Sequence, residues 1–378
     1  MIFEPLYDSA QRRELMLVDG GMCHFHIRRD GQLTIREIIS TQPGAGQRML
    51  RRLMATKGAT SLFAKCPVDL PANDWYARRG FVLEGVETTK RGRALKLWRL
   101  PLTSEARPNA GPLEVIFCAG NNADFMDIAI DAGLLPGVRD VDHVTHRPYL
   151  TDQDWKRPDF DRYEALLAEH RPHIATVLDW ERRAQLDEVL RWAEMAARYV
   201  QIVVIIPKVI GGIAQLPHTV GGKPVRLGYS VPTQFAGPYD IERYNLIVPL
   251  SEFANWSGKG GVHLLGGSPQ SQMHLYRRLG NVQSVDGNMI LDRANACQFW
   301  AYPPIQGAKN RHFPQLQEAG GESYKWDANA EAFRRSCVNV MQAWRDMTTA
   351  PSEKPEGGEQ MLLALSDEVE IVPAAARG

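Results

Sequence analysis

Two aspartates of this 378-residue chain close apolar segments that read as buried strands. Asp179 ends the run IATVLDW, and Asp286 ends the run NVQSVDG. A carboxylate at the mouth of a buried strand lies in a low-dielectric environment where its pKa can be tuned for nucleophilic or acid-base work. Capping of a following helix is the structural alternative for either residue, since Asp between a strand and a helix often does that.

A second candidate site is the glycine-containing segment TQPGAG, which leads into the apolar-periodic stretch QRMLRRLMA. Gly44 and Gly46 let backbone amides approach a pyrophosphate at the helix N-terminus, where the helix dipole favours negative charge. Glu37 precedes this loop and is a candidate general base, with a solvated strand carboxylate as the alternative.

A third candidate region is the segment NACQFWAYPPIQGAKNRHF at 295–313. Aromatic and basic residues side by side suit a flipped nucleotide and its phosphates, and Trp300, Lys309 and Asn310 are assigned to substrate binding on this ground. An exposed loop that closes a barrel is the structural alternative.

The five cysteines are odd in number and far apart, which argues against both a disulfide framework and a closely spaced zinc site. We therefore expect no metal. The sequence also lacks an apolar run of membrane-spanning length and a signal-peptide pattern at its start, so a cytoplasmic location without membrane contact is expected.

The elements that would position these residues are short apolar runs separated by amphipathic stretches. The pattern predicts an α/β fold, a TIM-type (β/α)8 barrel over 113–347 preceded by a small α+β domain over 1–103. An open Rossmann-like sheet is the alternative, but it lacks its GxGxxG turn. A linker at 104–112 and a flexible acidic tail at 348–378 complete the predicted organisation. The predicted barrel strands are 113–120, 173–180, 201–208, 224–231, 244–250, 261–267 and 281–287.

The first domain resembles the GNAT acetyltransferases over nearly all of 15–100. The resemblance rests on the order of a strand, the glycine loop, a helix, SLFAKCPVDL, PANDWYARRGF and a closing hairpin. It implies a site for acetyl-CoA as the only cofactor, in which Asn73 and Tyr76 contact CoA and protonate the leaving thiolate. Thr41 departs from the family, which has Arg or Gln there. The loop residues implied to bind the cofactor are Gly44, Ala45, Gly46, Gln47 and Arg48.

The second domain, about 112–345, resembles the tRNA-guanine transglycosylases and their phage relatives. The resemblance is carried by GVHLLGGSPQSQMHLYRRLGNVQSVD, by VLDWERRAQLDEVLRWAEMAAR and by GYSVPT. It implies that Asp286 is the nucleophile that attacks C1′ and that Asp179 accepts hydrogen bonds from the Watson-Crick edge of the base. The other residues assigned to the substrate site by this resemblance are Lys208, Gly228, Tyr229, Ser230, Gly266 and Gly267.

The resemblance therefore predicts an enzyme that exchanges guanine for a 7-deazaguanine-type base. The zinc-binding cysteines of the tRNA enzymes are missing here, which favours DNA over tRNA as the nucleic-acid partner. A GNAT acyltransferase that modifies a nucleic-acid base and a non-catalytic nucleic-acid-binding protein are the alternatives. Whether the chain forms a homodimer is left undecided by the sequence.

Overall fold

The computed structural model describes residues 6–8, 13–89, 92–102, 113–119, 122–234, 248–320 and 325–349. The predicted linker at 104–112 lies outside these residues, and so does the predicted tail beyond Thr349. The domain limits therefore stay a prediction. Of the helices that the structure describes, none has both the length and the hydropathy that crossing a membrane requires.

The N-terminal part is a seven-stranded mixed sheet with two helices. Its strands lie in the order β1-β2-β3-β4-β5-β7-β6, and every neighbouring pair is antiparallel except β4 and β5, which are parallel. A parallel pair needs a crossover connection, and α1 supplies it. The elements are β1 Leu6–Asp8, β2 Arg13–Val18, β3 Gly21–Ile27, β4 Gln32–Ser40, α1 Ala45–Met54, β5 Ser61–Pro67, α2 Ala72–Arg78, β6 Val82–Thr88 and β7 Ala94–Pro101.

Helix α1 is amphipathic, and its apolar side covers the sheet. Ala45, Met49, Leu50 and Leu53 are buried at the spacing that places them on one helix face. Its other side carries arginines that turn toward the second part of the molecule.

The second part contains a closed ring of eight parallel strands. The pairing runs β8-β9-β10-β11-β12-β14-β15-β16 and closes between β16 and β8, while the short β13 pairs antiparallel with β14. The strands are β8 Glu114–Cys118, β9 Leu135–Arg139, β10 Leu150–Asp152, β11 Ile174–Trp180, β12 Ile202–Pro207, β13 Thr219–Val220, β14 Lys223–Ser230, β15 Val262–Leu265 and β16 Val282–Gly287. The helices are α3 Ala123–Ala132, α4 Phe160–His170, α5 Leu186–Ala197, α6 Val231–Gln234, α7 Leu250–Ala254, α8 Pro269–Leu279, α9 Met289–Ala294 and α10 Lys325–Thr349.

The prediction of a TIM-type (β/α)8 barrel was wrong. The ring of strands closes, which also excludes the open Rossmann-like sheet, but a helix does not follow every strand. Residues 140–149 connect β9 to β10 without a helix, and a 3-10 turn with β13 connects β12 to β14. The predicted strand at 244–250 also fails where it is described, because Val248 and Pro249 are coil and α7 begins at Leu250.

The N-terminal part packs where the helix after β9 is missing. The backbone N–H of Arg147 donates to the carbonyl of Ala55 at 2.7 Å, at the end of α1. Arg52 on α1 pairs with Asp131 on α3 through two hydrogen bonds of 2.6 Å. Residues that the sequence assigns to another domain thus cover the side of the barrel where a helix would follow β9. This contact is the physical reason that the layer of helices is interrupted there.

Side chains fill the middle of the barrel interior, and glycines on the strands leave space for them. An apolar cluster from β8 to β12 occupies the centre, including Ile116, Leu135 and Ile206. Gly137 leaves room for the Cys118 side chain, because a Cβ there would lie 2.3 Å from the Cys118 sulfur. A filled interior leaves the rims as places for chemistry.

Gly137→Ala should therefore destabilise the protein by about 2 kcal/mol, since the new methyl group would overlap the Cys118 sulfur and the Ile116 side chain. Urea unfolding measures the change, and Cys118→Ala in the same chain should restore part of the loss. Gly85→Ala on β6 is the matched control, because a Cβ there meets nothing within 4 Å. Equal unfolding midpoints for Gly137→Ala and the wild type would contradict this account of the packing.

Candidate active site

Acidic residues gather at the carboxyl ends of the barrel strands. Asp152 ends β10, Asp179 lies near the end of β11 and Asp286 near the end of β16. Lys208 follows β12 directly, and Cys118 ends β8. Because all eight strands are parallel, these ends meet at one rim of the barrel, which is where barrel enzymes hold their catalytic groups.

Asp286 is 7% exposed, and the turn after β15 holds it. The backbone N–H of Gly266 donates to its Oδ1 at 3.0 Å. Gln272 on α8 donates to the carbonyls of Gly266 and Asp286 at 2.7 and 2.6 Å, which ties this turn to β16. The carboxylate predicted as nucleophile is therefore oriented by the backbone of its neighbouring strand.

Asp152 is a member of this cluster that the sequence reasoning missed. Thr176 on β11 donates to its Oδ1 at 2.7 Å. Burial, and then the negative charge of Asp286, raise the pKa of Asp152 to about 7. At neutral pH this carboxyl is thus divided between its acid and its base form, which is the condition that general acid-base catalysis requires.

Asp179 and Lys208 form an ion pair at the same rim. The Lys208 Nζ lies 2.5 Å from Asp179 Oδ2 and 3.6 Å from a carboxylate oxygen of Glu181. Burial raises the pKa of Asp179 even though Lys208 lowers it. The pair offers a hydrogen-bond acceptor and a donor side by side, and Asp179 is not a helix cap in the described structure, because α5 begins seven residues later.

Trp155 is a further rim residue without a signal in the sequence pattern. Its side chain is 59% exposed, and the Lys208 ammonium lies 5.7 Å from its ring centroid. An exposed indole beside a polar cluster is a flat apolar surface on which a planar ligand can stack. Its place follows from β10, a strand of only three residues that sequence periodicity does not reveal.

The predicted residues of β14 take packing positions. A Cβ on Gly228 would lie 2.6 Å from Ile206, so this glycine makes room for the interior. Tyr229 is buried, its ring packs edge-on against Phe253 at 5.0 Å, and burial raises its pKa to about 12. Ser230 is half-buried at the end of the strand. Their predicted contacts with substrate stay predictions.

The turn with Gly266 and Gly267 does lie beside Asp286. Both residues have positive φ angles, 64° and 82°, and Gly266 supplies the N–H that Asp286 accepts. A side chain on Gly267 would overlap Val231. The turn therefore needs glycine for its conformation and its close approach.

The aromatic segment at 295–313 contacts α10, and its predicted contacts with substrate stay predictions. Trp300 is 2% exposed, and its backbone N–H donates to Ser336 on α10 at 2.9 Å. Asn310 accepts hydrogen bonds from the backbone of His312 and Phe313, which forms a turn, and Lys309 is exposed. In these contacts the segment packs against α10.

The glycine loop of the N-terminal part begins α1 as predicted. Gly44 is the N-cap in the left-handed region at φ 85°. Ala45 is buried and Gln47 half-buried. A Cβ on Gly46 would touch the Trp75 ring at 3.5 Å, and the Arg48 guanidinium donates to the carbonyl of Asp19.

Asn73 and Tyr76 are part of the core beneath this loop. The Asn73 amide donates to the carbonyls of Pro67 and Leu70 at 2.7 and 2.8 Å and accepts from the Trp98 indole at 2.9 Å. Tyr76 is 5% exposed, and burial raises its pKa well above its usual value. Both side chains therefore stabilise the fold here, and their predicted contacts with CoA stay predictions.

In the described ranges, no three His, Cys, Asp or Glu side chains are grouped so that they could hold a metal ion.

The perturbed pKa of Asp152 gives a test by stability. A carboxyl whose pKa is higher in the folded than in the unfolded state lowers stability once it ionises, so its penalty is absent below about pH 4 and complete above about pH 7. Asp152→Asn keeps an oxygen for Thr176 and removes the charge. It should raise the Tm by about 3–8 °C at pH 8 and leave it unchanged at pH 4. Asp69→Asn, at a side chain that is 68% exposed, is the control. The same Tm difference at both pH values would show that Asp152 is not perturbed.

The N-terminal quarter of the chain is similar to acetyltransferases of known structure. A Bacillus subtilis acetyltransferase in complex with CoA is 14% identical, over 24% of this chain and 78% of that one, with a TM-score of 0.20. A GNAT-family acetyltransferase from Bacillus cereus is 12% identical, over 25% and 73%, with a TM-score of 0.22. Ard1 from Thermoplasma volcanium is 12% identical, over 25% and 72%, with a TM-score of 0.19. Likeness at these scores says nothing about what this chain does.

No curated protein matches the chain. A family model described as a family of unknown function, DUF6610, matches residues 129–345, which include most of the barrel and all three rim aspartates. This match covers more than half of the 378 residues. The chain belongs to the DUF6610 family.

Proposed function

We propose that this chain is a nucleobase transglycosylase that exchanges a guanine in DNA for a 7-deazaguanine-type base through a covalent intermediate on Asp286. The observation that carries the proposal is the coupling of two carboxyls at one rim. Asp286 is held by the Gly266 N–H, while burial and then the negative charge of Asp286 raise the pKa of Asp152 to about 7. A held nucleophile beside a carboxyl that can both give and take a proton is what a double displacement at a sugar carbon needs.

The reaction would proceed in two balanced steps. A carboxylate oxygen of Asp286 attacks C1′, the bond from C1′ to the base nitrogen breaks, and the Asp152 carboxyl gives its proton to the departing base. The incoming base then loses a proton to the Asp152 carboxylate, and its nitrogen attacks C1′ and displaces Asp286. Asp152 returns to its acid form and Asp286 to its carboxylate, so the enzyme is unchanged.

The ion pair of Asp179 and Lys208 fits the edge of a guanine-type base. Guanine presents an O6 acceptor next to N1–H and N2–H donors, so Lys208 would donate to O6 and Asp179 would accept from the nitrogens. Adenine presents the opposite order at these positions and would leave both charged groups unpaired. A 7-deazaguanine keeps the same edge. The exposed ring of Trp155 would then cover a face of the base.

DNA is proposed over tRNA because the sequence lacks the closely spaced zinc-binding cysteines of the tRNA enzymes. The two alternatives have less support in the geometry. An acyltransferase would use Asn73 and Tyr76. The Asn73 amide is instead hydrogen-bonded within the core, and Tyr76 is buried there. The raised pKa of Asp152 favours an enzyme over a binding protein without catalysis, because perturbed carboxyls cluster at active sites.

Asp286→Asn should abolish the exchange of labelled guanine into duplex DNA, with a loss of about 10³-fold or more, because an amide cannot form the glycosyl ester. The measurement is incorporation of label followed by mass spectrometry of the nucleosides. Asp69→Asn, at the exposed position named above, should exchange like the wild type. Exchange by Asp286→Asn at the normal rate would remove Asp286 as the nucleophile.

Changes at the ion pair should alter the choice of base more than the rate of chemistry. Lys208→Gln keeps a donor for O6 and should retain most of the preference for guanine over adenine, whereas Lys208→Met should lose about 10- to 100-fold of it. Asp179→Asn should lose a similar amount. Competition between the two labelled bases measures the ratio, with Lys259→Met at an exposed position as control. An unchanged ratio in all variants would exclude the pair from base recognition.

A further inference from the structure

A chain of buried polar side chains runs through the barrel from the rim toward its opposite end. His263 on β15 and Ser284 on β16 are fully buried, and Arg226 on β14 is 3% exposed. The His263 Nδ1 lies 2.6 Å from the Ser284 hydroxyl, and the Arg226 Nη1 donates to the same hydroxyl at 2.7 Å. Polar groups this deeply buried are costly unless they are paired, so their arrangement is specific.

The far end of this chain is anchored by Glu114 on β8. The Arg226 Nη1 donates to Glu114 Oε2 at 2.6 Å, and the Tyr149 hydroxyl donates to Oε1 at 2.9 Å. Burial alone would raise the pKa of Glu114, but Arg226 and the Tyr149 hydroxyl hold it below its usual value. Glu114 is therefore ionised, and the position of Arg226 is determined by it.

The near end of the chain is the other nitrogen of His263. Its Nε2 lies 3.4 Å from Asp286 Oδ1 and makes no aligned hydrogen bond among the described residues. A fully buried imidazole nitrogen that faces a carboxylate in this way is placed to donate to it once the site is occupied, since hydrogen bonds in empty sites are often long.

The hydrogen bonds of Ser284 bear on which nitrogen of His263 carries the proton. The Ser284 oxygen accepts from Arg226, and its own hydrogen is available for the Nδ1 of His263. In that arrangement the neutral imidazole carries its hydrogen on Nε2, toward Asp286.

We infer that His263 is a positioning residue that donates from Nε2 to Asp286 and holds one of its oxygens in place for attack. This inference rests on the proposed function. Among the described residues, Asp152, the Cys118 thiol, the Gly266 N–H and His263 lie around Asp286.

Two substitutions separate the two nitrogens of His263. The side-chain amide of His263→Gln reaches the position of Nε2 and keeps a donor for Asp286. The shorter amide of His263→Asn reaches only the position of Nδ1 and keeps the contact with Ser284. Ser284→Ala is a milder third variant that removes the hydroxyl which orients the ring.

His263→Asn should lower kcat for base exchange about 10- to 100-fold with little change in KM for the free base, because Asp286 then loses the donor that holds its oxygen in place for attack. His263→Gln should retain most of kcat. Ser284→Ala should lie between them. Equal losses of kcat in His263→Gln and His263→Asn would reduce His263 to a packing residue and overturn the inference.

A stability measurement separates this inference from the proposed function. His263→Asn should lower the Tm at pH 7, and this loss should disappear in an Asp286→Asn background, since no carboxylate remains to be held. If this coupling is found but the wild type exchanges no base, the proposed function fails and the pairing stands. If the wild type exchanges base and the coupling is absent, the inference fails and the function stands.

Discussion

The buried ion pair of Arg226 and Glu114 joins β14 to β8 across the barrel interior, over 112 residues of sequence. It belongs to the closed ring of parallel strands on which everything else at the rim depends. Closure brings the ends of β10, β11, β12 and β16 together, although their functional residues are far apart in the chain. A charge pair in such a place is costly to bury, and its additional hydrogen bonds to Ser284 and Tyr149 are what make the site tolerable and specific.

Crowding of carboxyls at this rim is the second constraint. Burial and then the negative charge of Asp286 raise the pKa of Asp152 to about 7. The Gly266 N–H holds the neighbouring side chain of Asp286. The raised pKa of Asp152 costs folding stability once this carboxyl ionises.

The N-terminal part packs directly against the barrel and forms hydrogen bonds with it. Arg52 pairs with Asp131, and the end of α1 binds the segment that connects β9 to β10. This contact occupies the side of the barrel where a helix would otherwise pack.

Local patterns in the sequence were sufficient for the strands that carry Asp179, Lys208 and Asp286, because each is a continuous apolar run that must be buried. They were not sufficient for β9, because its sequence LPGVR contains proline and glycine. They were not sufficient for β10 either, because it has only three residues, and Asp152 and Trp155 were missed together with this strand. The prediction of a helix after every strand was wrong after β9, because the N-terminal part of the chain covers the barrel at that point. Residue types and burial periodicity are local properties that the sequence determines by itself. The pKa of Asp152, the pairing of Asp179 with Lys208 and the approach of His263 to Asp286 were decided only by the tertiary structure, since each depends on the distance between side chains from different strands.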